Sequence, residues 1–169
     1  MSKFAQLEGQ NIVVESIVQE SISKSGGNAV PVSISEFNAK YKPDTFIRKP
    51  NEEAIKNAEK ELGVTFGPQL KKYLLTYGGI SYKFVEFEGL AATRVKSDIV
   101  QRTLNARELG LDKKYIVILK IHDEGLYAVV DSKDNVYEFD SALGSKKYKD
   151  MKMKFEDYFI WIMKYMKVF

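Results

Sequence analysis

The only histidine in the chain, His122, is followed directly by Asp123 and Glu124, a juxtaposition of imidazole and carboxylate that general acid–base chemistry uses. Any Ser-His-Asp arrangement would have to take this one residue as its base. No Gly-x-Ser-x-Gly turn presents a serine to it. A solvent-facing hairpin tip, where polar residues are required in any case, accounts for the three side chains more simply. Asp131-Ser132-Lys133-Asp134-Asn135 offers carboxylates for a cation. Lys133, however, stands where a calcium loop needs oxygen, and the loop glycine and distal glutamate are misplaced, so a hairpin turn is expected there too. Gly26-Gly27 and Gly78-Gly79 lack the glycine spacing and the Lys-Ser/Thr pair of a phosphate loop. With no cysteine and one histidine, disulfides, thiolate metal sites, cysteine nucleophiles and multi-histidine zinc sites are excluded. No catalytic residue, metal or cofactor is expected.

Two stretches could instead bind. Lys146, Lys147, Lys149, Lys152 and Lys154 form the densest charge run, relieved only by Asp150, but Tyr148 is the one aromatic inside it. A nucleic-acid platform adds several stacking aromatics, so a solvated loop is the expectation. Tyr82 to Glu88 reads as a strand, one face of which would carry Tyr82, Phe84, Glu86 and Glu88, aromatics and acids together. Burial under a neighbouring helix is the plainer account of that face, and a partner surface is the other.

The elements that must position these groups follow from periodicity. Val14, Ile17, Val18 and Ile22 make a helical stripe that stops at Gly26-Gly27. Ser33 and Glu36 fit a capping box ahead of a helix limited by Pro43, although Val30-Pro31-Val32 could equally be extended. Asn51 caps a helix carrying Ile55, Ala58 and Leu62, and Gly63 ends it; Pro68 then opens a second helix with Leu70, Tyr73, Leu74 and Tyr77, stopped by Gly78-Gly79. Ser97-Asp98 can cap a helix bearing Val100, Thr103 and Leu104. Residues 115–121, 126–130 and 136–139 read as an antiparallel meander, and a helix from about Lys154 presents Phe155, Tyr158, Phe159, Ile162, Met163 and Met166. The expected fold is therefore α+β: a mostly antiparallel sheet with a C-terminal meander, flanked by N-terminal helices and a closing C-terminal helix.

At 169 residues, with 44% hydrophobic and 29% charged residues, one globular domain is the default. Its 26 basic and 23 acidic residues give a net charge of +3, too mild to name a partner. Glu8 and Glu15 break the apolar runs that a signal peptide needs, and no run approaches the ~18 apolar residues of a membrane span, so a cytoplasmic, non-membrane protein is expected.

Taken together, Ile55 to Val64, Pro68, Leu70-Lys71-Lys72-Tyr73-Leu74-Leu75 and Tyr77-Gly78-Gly79 resemble the leading motif of the SUKH superfamily, which joins bacterial immunity proteins to a yeast cell-wall-synthesis regulator. Ile116 to Ile121, Tyr127 to Asp131, Val136 to Asp140 and the Phe155-Glu156-Asp157-Tyr158-Phe159 helix resemble its tail. The departure is Phe66-Gly67 before Pro68, where the superfamily more often has one apolar residue. The resemblance assigns residues 51–169 to a SUKH-like domain and leaves 1–50 as an N-terminal helical extension packed on it. It implies a non-catalytic binding protein, most often an immunity protein neutralising a cognate bacterial toxin, frequently a nuclease. The alternative is a regulatory or scaffold protein binding a host partner. If the toxin is basic, fast encounter calls for local acidity, and the candidate partner contacts are Tyr82, Phe84, Glu86, Glu88, Asp123, Glu124, Asp131 and Asp134.

Overall fold

A computed structural model describes residues 31–122, 125–143 and 147–167; the stripe from Val14 to Ile22 lies outside them. The elements are α1 (Ile34–Tyr41), β1 (Asp44–Thr45), α2 (Glu52–Leu62), α3 (Pro68–Tyr77), β2 (Ile80–Tyr82), β3 (Val85–Glu86), α4 (Ile99–Glu108), β4 (Ile116–His122), β5 (Leu126–Val130), β6 (Asn135–Asp140), β7 (Tyr148–Lys154) and α5 (Phe155–Tyr165). This is an α+β fold with a three-stranded sheet, β1-β2-β3, and a four-stranded sheet, β4-β5-β6-β7. The chain divides into two compact units: residues 43–151, and a smaller one whose described parts are 31–42 and 152–167.

In the smaller unit, α1 begins with Ser33, whose Oγ accepts from Glu36 N at 3.0 Å. The Glu36 carboxylate returns the bond one residue earlier than a capping box does, accepting from Val32 N at 3.0 Å. Glu156 of α5 accepts from Ile34 N at 2.9 Å, and Phe37 meets Phe159 edge-on with ring centroids 5.3 Å apart. Phe155, Tyr158, Phe159, Ile162 and Met163 are buried as the helical stripe predicts.

The larger unit is organised by the corner between α2 and α3. Asn51 Oδ1 caps α2 by accepting from Ala54 N at 2.8 Å. At its end Gly63 takes φ +70°, and the amides of Gly63 and Val64 donate back to Lys60 O and Glu59 O, which is a Schellman closure. The Glu59 carboxylate spans the corner, accepting from Phe66 N at 2.8 Å and pairing with Lys71 at 3.5 Å.

Helix α3 then starts at Pro68 without a side-chain cap of its own, because Gly67 occupies that position. The cap arrives from the β5–β6 turn: Asp134 accepts from Gln69 N (Oδ2, 2.9 Å) and Leu70 N (Oδ1, 3.1 Å). A Cβ on residue 67 would lie 2.4 Å from Asp134 Oδ1, so the departure from the superfamily pattern makes room for this carboxylate. Asp134 is buried at φ +66°, a region that aspartate tolerates better than most side chains. Asp131 shapes the turn that presents it, accepting from the amides of Lys133 (2.9 Å) and Asn135 (3.0 Å).

Two readings of local structure change. Tyr82 to Glu88 is a hairpin rather than one strand, since Tyr82 pairs with Val85 and Lys83 turns the chain at φ +54°. The lysine run includes strand β7; the strand signal is weak because Lys and Asp are poor β-formers and only Tyr148, Met151 and Met153 supply apolar positions. As the last strand in its sheet order, β7 carries the lysines that discourage edge-to-edge pairing. Tyr148 joins an aromatic cluster on one sheet face, 5.0 Å from Tyr115 and 5.3 Å from Phe139.

The two sheets meet at β4. Phe87 bridges to Leu119, Glu88 N donates to Ile118 O at 2.8 Å, and buried Thr103 of α4 accepts from Val117 N at 3.0 Å while donating to Ile99 O. Thr103→Val strands the Val117 amide and is expected to cost about 1–3 kcal/mol in urea unfolding. Asp134→Ala removes both long-range cap bonds and is expected to cost about 2 kcal/mol by the same measurement; Asp134→Asn, which keeps one acceptor and tolerates the backbone conformation, loses less.

Candidate functional site

The candidate residues separate into exposed and internal groups. At the β2–β3 tip Phe84 is 66% exposed and Glu86 is exposed, while Tyr82 is half-buried with the Lys83 ammonium 5.5 Å from its ring centroid. The turn at Lys83 leaves Phe84 facing outward at the tip, and after Glu86 the alternation stops, with Phe87 and Glu88 both buried.

Glu88 is 7% exposed and faces Arg102 of α4, whose Nε lies 3.1 Å from Oε2 and 3.3 Å from Oε1. Burial is the largest influence on its carboxyl and pushes it up to about 7, against the pull of Arg102 and with help from nearby Glu86 and Asp98. Asp98, also buried, caps α4 through Gln101 N at 2.9 Å and binds Arg94, which in turn binds Glu61. Glu88 thus links the segment that follows β3 to α4 through a charge pair. Tyr73 stands nearby, its hydroxyl accepting from Ile80 N at 2.7 Å and its phenol pushed far up, chiefly by burial.

Asp134 caps α3 and Asp131 holds its own turn, so both carboxylates have internal partners. Asp123 and Glu124 lie outside the described residues. His122 is exposed at the end of β4. The Phe87–Leu119 bridge is antiparallel, so the hairpin tip runs toward the His122 end of β4. Asp131 and Asp134 follow Val130, which pairs with Ile116 at the opposite end. The structure therefore brings Tyr82, Phe84 and Glu86 together and sets Asp131 and Asp134 apart from them. Sequence reasoning missed Arg102, which faces Glu88 across 14 residues of chain, and read Asp98 only as the cap of α4. Among the described residues no three His, Asp or Glu side chains converge as a metal site requires, and no helix is long and apolar enough to cross a membrane.

The Glu88 carboxyl sets a direction for stability against pH. Its folded value, about 7, lies above the ordinary 4.5, so the folded state holds a proton that the unfolded chain releases earlier. Its contribution is full below about 4.5 and is lost as pH rises through about 7, a span worth on the order of 3 kcal/mol. Thermal melts from pH 4.5 to 8 should show a smaller fall for Glu88→Gln than for the native chain.

Comparison with known proteins fits this architecture. A crystal structure of a protein from Pseudomonas syringae pv. tomato is similar in fold, with TM-score 0.50 and 20% identity over 80% of this chain and 87% of that one. No curated protein sequence matches the chain. The model of the SUKH_5 family, described as SMI1-KNR4 cell-wall, matches residues 32–166, spanning the helical corner, both sheets and α5. The chain belongs to the SUKH_5 family of the SUKH superfamily.

Proposed function

We propose that this protein is a non-catalytic, cytoplasmic binding protein of bacterial origin that neutralises a cognate toxin by direct contact, with the β2–β3 hairpin tip as its anchor. The observation that carries the reading is Phe84, an aromatic side chain 66% exposed on a tight two-residue turn, flanked by Tyr82 and Glu86. Aromatic anchors in a short turn lose little conformational freedom on binding and dominate many interfaces. Glu86 supplies local acidity toward a basic nuclease, although Glu88, Asp131 and Asp134 are engaged internally. The family's cell-wall description favours a second reading, a regulator or scaffold that binds a host partner.

Co-expression with the toxin encoded beside this gene separates the two. Rescue of growth and a stable complex are expected. Phe84→Asp should weaken the complex by at least about tenfold without shifting the thermal melt. Neither rescue nor complex would reject the toxin reading, and retrieval of a host regulator through the same hairpin would favour the second.

A further inference from the structure

Away from the hairpin, two loops of the larger unit emerge side by side, joined where Ala92 N donates to Arg48 O at 3.0 Å. Each exposes an aliphatic side chain: Ile47 is 96% and Val95 48% exposed. Single exposed aliphatics are ordinary on protein surfaces, so exposure alone decides nothing. Their surroundings do. Arg48, Lys49 and Lys96 flank them, all exposed, and none has an ion-pair partner among the described residues. Arg94, in the same loop, is already neutralised by Glu61 and Asp98, which leaves three cations without an ion pair next in sequence to the two aliphatic residues.

The loops are also held firmly. Phe46, next to Ile47, donates its amide to Tyr77 O at 3.0 Å, and its ring fills space that glycines leave open. A Cβ at Gly78 would lie 2.6 Å from the Phe46 Cβ, and one at Gly79 2.8 Å from its ring. The Val95 loop is pinned by its own amide and by Arg94, both bound to the Asp98 carboxylate. An aliphatic tip that is rigid before binding loses little entropy when a partner covers it.

We infer that this lip, Ile47 and Val95 among Arg48, Lys49 and Lys96, is a second docking surface, and that it receives a protein carrying an apolar pocket rimmed by carboxylates. The charge is complementary to such a rim, and the aliphatic tips match such a pocket. A nucleic acid offers no apolar pocket and would call for exposed aromatics to stack its bases, which the lip lacks. A membrane surface would call for an amphipathic helix or a larger basic cluster than three side chains. The lip differs from the hairpin tip in place. Antiparallel pairing of Thr45 with Ile80 and Asp44 with Ser81 carries the chain after β1 away from the hairpin turn.

A random-peptide display library selected on the full-length chain tests this without knowledge of the partner. The expected winners combine Asp or Glu with Leu, Ile or Phe, bind more weakly as salt rises, and lose at least about tenfold affinity on Ile47→Asp and on the Arg48→Glu, Lys49→Glu double variant. They should bind Phe84→Asp unchanged. Both lip variants should melt like the native chain, because the altered side chains face solvent. Failure to select such peptides would overturn the inference, as would peptides that bind Ile47→Asp like the native chain or that depend on Phe84. Sedimentation with phosphatidylserine vesicles that requires Ile47 would replace the proposed protein partner with a lipid surface.

Discussion

Two amides at the start of α3, those of Gln69 and Leu70, share one carboxylate, Asp134, and the geometry of the larger unit depends on that contact. Pro68 presets the backbone of the first turn but contributes no donor, and Gly67 has no side chain with which to cap. The remaining amides face the interior, where unpaired donors are costly. A residue more than sixty positions away satisfies them, held by Asp131 in a left-handed turn that few side chains tolerate. One contact thereby ties the helical corner to the meander. The far end of α3 then leads through Gly78 directly into β2, so the cap also bears on where the hairpin begins.

The same logic governs the other acids. Glu88 and Asp98 answer Arg102 and Arg94 around the base of α4, and Thr103 completes that junction by receiving an amide from β4. Carboxylates that look available in a list of acidic residues are thus the means by which this fold satisfies helix starts and links its sheets. Among the outward residues of the larger unit are an aromatic tip at one place and a cationic, aliphatic pair of loops at another. A chain with a net charge of only +3 can still carry surfaces of distinct charge preference when its internal acids are already paired.

Legibility in the sequence followed the range of the interactions. Caps within a few residues, such as Ser33, Asn51, Gly63, Pro68 and Asp98, could be read from composition because their physics is local. The meander could be read because β-branched runs alternate with turn residues. The hairpin at Lys83 was hidden because lysine is an uncommon residue at positive φ, and β7 because its lysines obscure a strand. For the candidate site, Tyr82, Phe84 and Glu86 are together on one short hairpin, whereas the internal roles of Glu88 and Asp134 depend on partners far along the chain. The Phe46-Ile47-Arg48-Lys49 run did carry a signal, apolar residues abutting cations, that becomes informative once the loops are seen to expose it.

Hydrogen–deuterium exchange on the chain, with and without the proposed toxin partner, tests the central claim most directly: the outward hairpin binds while the paired acids hold the fold. The account predicts slower exchange at residues 81–87 in the complex and unchanged protection at Gln69 and Leu70. Slower exchange confined to residues 67–72 and 131–135, with the hairpin unaffected, would contradict it.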